Sequence, residues 1–116
     1  IPWTEIPTVL SRSCVAVNLY REPARTFDLS PNLRLFESLA CRTFLVSDAM
    51  RGLEDVFRDG THLMVANQEN VVQIVKDALE NPEWRDSVAS AGHEEIIRRH
   101  TVEHRIPALL GVIENL

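Results

Sequence analysis

The sequence predicts an α/β fold in which a parallel sheet is flanked by helices. Three short apolar runs rich in β-branched residues alternate with segments whose apolar residues recur at helical spacing. Strands that alternate with helices form βαβ units, which place neighbouring strands parallel through right-handed crossovers. The 116 residues, of which 45% are hydrophobic and 25% charged, suffice for one globular domain or part of one.

The first two elements are a short helix and a strand. Thr4 to Arg12 is predicted to be helical, with Pro7 in its first turn, where a missing N–H costs little. Cys14 to Leu19 is an apolar run bounded by polar residues, which is typical of a buried strand. Tyr20 to Ser30 is polar and charged, and we interpret it as a loop.

The second helix and strand follow this loop. Ser30-Pro31 is expected to open the helix, because Ser is a favoured N-cap and Pro suits the first helical position. The predicted apolar face of this helix comprises Leu33, Phe36, Leu39 and Ala40. Thr43 to Val46 is the second predicted strand. A connector with a helical turn at Leu53 to Phe57 leads to a turn at Gly60-Thr61 and a third strand, His62 to Ala66.

Three helices are predicted to complete the chain. Asn67 is expected to cap the first, whose apolar side comprises Val71, Val72, Val75, Ala78 and Leu79. Pro82 starts the second, and Gly92 either ends it or lies within it. The residues of this helix that are expected to face inward are Trp84, Val88 and Ala91. Thr101 is expected to cap the third helix and to dock it against the domain, and Pro107 kinks that helix or moves its start later.

Three strands are few for a doubly wound, Rossmann-like domain, which commonly has about five or six and binds its ligand at the carboxyl ends of the strands. We therefore expect residues 1–116 to be part of a single, truncated Rossmann-like domain, with C-terminal helices at 82–116. Apolar surface left open where further strands would pack favours self-association, so a homo-oligomer is among the expected partners.

Composition excludes several classes of protein. The net charge is −5 and basic residues are scattered, whereas nucleic-acid binding needs clustered Lys and Arg. No apolar run approaches the ~20 residues of a membrane-spanning helix, and no basic region followed by an apolar stretch marks a signal peptide. Cys14 and Cys41 lie in apolar runs without metal-type spacing, which indicates buried thiols in a reducing compartment and favours a cytoplasmic location.

The strongest candidate for a binding site is the loop after the first strand together with the helix that it feeds. Asn18 lies near the carboxyl end of that strand. The free N–H groups and dipole of a helix N-terminus suit an anion, which places Asn32 and Leu33 at the predicted site. The Arg34 cation in the first turn interacts unfavourably with the helix dipole, but it is well placed to bind a phosphate.

Glu37, one turn after Leu33, admits two interpretations. Its carboxylate is able to accept hydrogen bonds from ribose hydroxyls. Alternatively it faces solvent and pairs with Arg34 at the i, i+3 spacing, and spacing alone favours the ion pair.

The segment RLFESLAC, residues 34–41, resembles the R-x-F-E-A-x-A-C-G segment of the glycosyltransferase group that includes the CgeB-like spore maturation proteins. More distantly, it resembles the E-A-M-A-x-G segment of the large retaining GT-B families. Residues 52–57 are similar to the G-L-E-x-x-F turn of the group, and residues 100–105 to its H-T-Y-x-H-R ending. The order and spacing of these segments extend the resemblance over nearly the whole chain.

The resemblance implies two Rossmann-like domains facing across a cleft, and this chain would be the C-terminal half of the C-terminal, donor-binding one. The donor would be a nucleotide-diphosphate sugar of UDP or GDP type. Backbone N–H groups of Asn32 and Leu33 would contact the diphosphate, with Arg34 near the phosphates, Glu37 on the ribose and Asn18 beside them. The acceptor would be held by a missing N-terminal domain, without which the chain is expected to be inactive. No catalytic residue, cofactor or metal is assigned to this chain.

Two departures from the family pattern favour an alternative, a non-catalytic α/β binding or assembly module. Arg42 stands where the family has a Gly that permits a positive φ at the end of the helix. Leu29 stands where the retaining families have an acid, and Asp28 is one residue out of register.

A third hypothesis, a small zinc enzyme, rests on the H-x-x-E-H pattern at residues 100–104. That motif needs both histidines on one helix face and a further ligand downstream, where Glu114 is the only acid. A cap at Thr101 would leave His100 outside the last helix, so we interpret the pattern as a helix entry.

Overall fold

The computed structural model describes residues 2–19 and 33–116, and within them three strands form one sheet. The strands are β1 (Val15–Asn18), β2 (Phe44–Asp48) and β3 (Met64–Ala66). They are parallel and adjacent in chain order. The predicted α/β class with a parallel sheet is therefore confirmed, and the carboxyl ends of all three strands lie at one edge of the sheet.

Helices flank and connect the strands. A 3₁₀ turn (Trp3–Glu5) leads into α1 (Ile6–Arg12), and the further helices are α2 (Leu33–Ala40), α3 (Leu53–Val56), α4 (Val71–Glu80), α5 (Pro82–Arg99) and α6 (Val102–Glu114). Pro82 opens α5 as predicted, since the first turn of a helix needs no N–H donor there. The predicted loop at Tyr20 to Ser30 and the predicted helix start at Ser30-Pro31 lie outside the described residues.

Two apolar clusters cover the two faces of the sheet. The first contains Leu35, Leu39, Leu45, Leu53, Phe57, Leu63 and Ile96. The second contains Phe44, Val46, Ala66, Ala78, Val88 and Ala89. Because side chains alternate along a strand, the middle strand β2 sends Leu45 to one cluster and its neighbours to the other. This burial on both faces explains why β2 is a continuous apolar run.

The buried faces of α2 and α4 differ from those predicted. On α2, Leu35, Ser38 and Leu39 are buried, whereas Leu33 is 70% exposed and Ala40 is also exposed. On α4, Val72 and Leu79 are exposed, and Ile74 packs against the second cluster instead. Several rotations of an apolar-rich helix satisfy the same periodicity, and the partner helix selects one. Here α5 crosses α2 closely, which turns Leu39 towards Gly92.

Two further expectations have different outcomes. Cys14 is exposed and Cys41 half-buried rather than buried, because both lie at element ends rather than in the core. Asn67 caps the turn that leads into α4, as predicted: its side-chain oxygen accepts the backbone N–H groups of Glu69 and Asn70, and its own N–H donates to the Asn70 side-chain oxygen.

The last helix is capped as predicted but is not docked. Thr101 forms a capping box with His104, and α6 continues through Pro107 without a later start. None of the residues of α6 is buried, because α5 already completes both apolar clusters. Gly92 lies within α5 and is buried. No helix in the described residues is long and apolar enough to cross a membrane.

Candidate functional site

Polar side chains are buried at the carboxyl edge of the sheet. Asn18 ends β1 and lies opposite Ser47 of β2, and their side chains are 6% and 0% exposed. The Ser47 hydroxyl donates to the backbone carbonyl of Asp48 at 3.1 Å. Ligands of open parallel sheets bind outside this edge, so the predicted Asn18 lies where such a site begins. Ser47 and Asp48 were missed, although two polar residues directly after an apolar strand were a visible signal.

The start of α2 supplies the next part of the site. Leu33 is the first described residue of this helix and is exposed. The first N–H groups of a helix have no partner within it. Asn32, the other residue predicted to supply an N–H group, lies outside the described residues.

Arg34 and Glu37 both face α1 and do not pair with each other. No ion pair joins them within the part of the chain that the structure describes. Arg34 lines a cavity of about 330 Å³ together with Ile6, Val9 and Leu10. Glu37 is half-buried and lines a cavity of about 570 Å³. The solvent-facing ion pair that the spacing favoured is therefore wrong, and the Glu37 carboxylate is left without a cationic neighbour from Arg34.

The end of α2 is fixed by Arg42. The Thr43 N–H donates to the Ser38 carbonyl and the Arg42 N–H to the Leu39 carbonyl, which is the Schellman pattern. Arg42 has a φ of 59°, which lies in the left-handed region that favours Gly. Its guanidinium donates to the Ser90 hydroxyl at 3.0 and 3.2 Å. Arg42 thus departs from the Gly of the resembling family, but its backbone has the positive φ that such a Gly would permit.

A second polar cluster surrounds Glu95 on α5. Its carboxylate oxygens lie 3.7 Å from His62 Nε2 and 3.8 Å from His100 Nε2. His62 Nδ1 accepts the backbone N–H of Arg58, so Nε2 carries the proton of the neutral ring. His100 Nδ1 accepts from Arg105, and burial followed by the Arg105 charge lowers the pKa of His100.

The zinc hypothesis does not match this geometry. His100 ends α5 and lies outside α6, while the His104 ring is engaged with Thr101, so the two rings are not on one helix face. Among residues 2–19 and 33–116, no group of three or more His, Cys, Asp or Glu side chains is arranged to hold a metal ion.

An open parallel sheet, with polar groups at its carboxyl edge and the start of a helix beyond the first strand, defines the Rossmann-like class of α/β ligand-binding domains. The sequence model of the glycosyl transferase-like family matches residues 1–111. The chain therefore belongs to this family, and its membership supports a function in glycosyl transfer. No curated protein matches the chain. No solved structure matches it either.

Proposed function

We propose that this chain binds the nucleotide-diphosphate sugar donor of a glycosyl transfer reaction, at the surface between α1 and the first turns of α2. The observation that carries the proposal is Glu37, a half-buried residue that lines a cavity and has no ion-pair partner in Arg34. A carboxylate in such a setting is suited to accept hydrogen bonds from ligand hydroxyls. Membership of the glycosyl transferase-like family supports a sugar nucleotide as the ligand.

The proposed roles follow the chemistry of each group. Backbone N–H groups of Asn32 and Leu33 donate to the diphosphate, and the Arg34 guanidinium neutralises part of its charge. Glu37 accepts from the ribose hydroxyls, and Asn18 borders the site at the carboxyl edge of the sheet. When the bond to the sugar breaks, negative charge develops on the leaving diphosphate. Donors that are already oriented towards it lower the barrier.

Narrower assignments accompany this proposal. The donor is of UDP or GDP type, the acceptor is held by a separate N-terminal domain, and the chain belongs with the CgeB-like group. We further propose a cytoplasmic location and self-association. The residues proposed for this chain bind the donor, and none is assigned a catalytic role.

The proposal is tested by titrating UDP, GDP and ADP into the chain while recording amide chemical shifts. We expect saturable shifts centred on Leu33 to Glu37. Glu37→Gln removes the negative charge and should weaken binding roughly 10-fold or more, because a charged acceptor is lost. Glu94→Gln, at an exposed position of α5, is the matched control and should leave binding unchanged.

Two outcomes would contradict the proposal. Equal affinities of Glu37→Gln and the unchanged chain would remove Glu37 from the site. A lack of saturable shifts with all three nucleotides would favour the alternative, a non-catalytic module that has kept the fold.

A further inference from the structure

Two cavities lie beside α2, and we call the surface between α1 and α2 that carries both of them the trough. The cavity at Arg34 and the cavity at Glu37 share Ile6 and Leu10 in their walls. The larger one is also lined by Trp3, Thr4, Pro7, Ala40 and Cys41. Its volume of about 570 Å³ lies within the range of small-molecule sites in proteins.

The chemical groups along the trough follow a fixed order. Arg34 lies at the smaller cavity, Glu37 opens on the larger one, and Ala40 lies one turn further along the helix. The rise of an α-helix separates Arg34 from Ala40 by about 9 Å. A cation, a carboxylate and an apolar wall therefore succeed one another. A nucleoside diphosphate presents phosphate, ribose hydroxyls and a flat heterocycle in the same order.

Trp3 supplies an aromatic surface at the apolar part of the trough. Its side chain is 80% exposed, and its ring contacts no other aromatic ring among the described residues. Trp84, by contrast, is packed edge-on against Phe44 with ring centroids 5.1 Å apart. Of the two tryptophans, Trp3 is therefore the more exposed. Nucleobases stack on exposed aromatic side chains with little regard for base identity.

We propose that the larger cavity is the base subsite of the donor site and that Trp3 is the residue on which the nucleobase stacks. This inference rests on the proposed function, since Glu37 must hold the ribose for the base to reach Trp3. The carboxylate within an otherwise apolar wall favours a nucleoside over a purely apolar ligand, because burying the charge without hydroxyl donors is costly. Stacking against an apolar wall discriminates only weakly among bases. Trp3 therefore determines how tightly a nucleotide binds more than which base is bound.

The chain contains two tryptophans. The test labels both with 5-fluorotryptophan, so that each gives one ¹⁹F signal. The signal missing in Trp3→Phe is that of Trp3, and the Trp84 signal serves as the internal control. We expect UDP to shift the Trp3 signal saturably, with the same midpoint as the amide shifts of α2, and to leave the Trp84 signal in place. Inorganic pyrophosphate, which has no base, should leave both signals unchanged.

Trp3→Ala provides the second measurement. Loss of the stacking surface should weaken UDP binding roughly 5- to 150-fold, whereas Trp3→Phe should retain most of it. The affinity for pyrophosphate should be the same in all three chains. Because Trp3 is exposed, its replacement is not expected to disturb folding.

Failure of this inference is distinguishable from failure of the proposed function. If UDP shifts the α2 amides and Glu37→Gln weakens that binding, while the Trp3 signal and the Trp3→Ala affinity are unchanged, the donor site stands and the base subsite is wrong. If UDP gives no saturable amide shifts, the proposed function is wrong and the base subsite falls with it.

Discussion

The conformation of Arg42 is set by backbone hydrogen bonds rather than by its side chain. Its φ of 59° lies in the left-handed region, which costs a non-Gly residue about 1 to 2 kcal/mol. The Schellman bonds of Thr43 and Arg42 hold this conformation because they satisfy the last carbonyls of α2. The exposed hydrogen bonds to Ser90 offset little of the cost, since contacts in solvent contribute weakly.

Replacing Arg42 tests this account of the end of α2. Arg42→Gly and Arg42→Ala lose the same hydrogen bonds to Ser90, and they differ only in the cost of the left-handed backbone. We expect Arg42→Gly to have a free energy of unfolding about 1 kcal/mol above that of Arg42→Ala. Urea denaturation of the two variants measures the difference. Equal stabilities would mean that the φ at this position relaxes without cost.

At the scale of elements, the contact between α2 and α5 leaves no room for a side chain at Gly92. α5 approaches so closely at Gly92 that an added Cβ would lie 2.5 Å from the His62 carbonyl oxygen and 2.9 Å from Leu39 Cδ2. The backbone oxygen cannot move aside without shifting the start of β3. A side chain at Gly92 would therefore push α5 away from both α2 and the sheet.

Gly92→Ala should destabilise the chain by about 1 to 3 kcal/mol, the usual range for overpacking a core. The matched control is Gly111→Ala in α6, where an added Cβ meets nothing within 4 Å. Because Ala has the higher helix propensity, the control should be stabilised by up to about 1 kcal/mol. Thermal denaturation of both variants checks the prediction, and a Gly92→Ala protein as stable as the control would refute the close approach.

At the scale of the whole molecule, one cluster joins elements that are distant in the sequence. Phe36 of α2, Phe57 after α3 and His100 after α5 have ring centroids 5.4 to 5.8 Å apart. His62, before β3, packs edge-on against Phe57 and faces the Glu95 carboxylate. The cluster therefore ties the start of α2, and with it the proposed donor site, to the end of α5.

The charge state of His100 couples this cluster to pH. Burial and the Arg105 charge lower the pKa of His100 below its ordinary value of 6.5, and the nearby Glu95 only partly opposes them. The unfolded chain therefore takes up the proton at a higher pH than the folded chain. As the pH falls below about 6.5, the free energy of unfolding should decrease, by at most about 1.4 kcal/mol per pH unit for one proton.

His100→Phe keeps an aromatic ring beside Phe36 and Phe57 but removes the titrating group. Thermal midpoints measured between pH 7.5 and pH 5 should fall less steeply for this variant than for the unchanged chain. The pKa of Glu103 is also lowered, by hydrogen bonds from its own backbone N–H and from the Thr101 hydroxyl, so its effect belongs below pH 4.5. An unchanged slope in His100→Phe would assign the pH dependence to another group.

The molecule is elongated, and its last helix, α6, has no buried residue. The radius of gyration is 15.1 Å, whereas a compact domain of this length has about 13 Å. The longest dimension is 51 Å against 30 Å for the other two. The apolar side chains that α6 exposes are Val102, Ile106, Leu109, Leu110, Val112 and Ile113.

The sequence by itself determined the features that depend on neighbours along the chain. The order of strands and helices, the parallel sheet and the cap at Thr101 follow from local periodicity and from capping residues. The position of Asn18 at the carboxyl end of β1 was also predicted, because the end of a strand can be read from where its apolar run stops.

Only the tertiary structure decided which way each helix faces. The rotation of α2 depends on α1 and α5, which lie tens of residues away along the chain, and no periodicity within α2 specifies them. That rotation buries Leu35 and Ser38 and turns Arg34 and Glu37 towards α1. It also places Trp3 and Glu37 in one cavity, since a cavity forms where separate elements fail to close on each other.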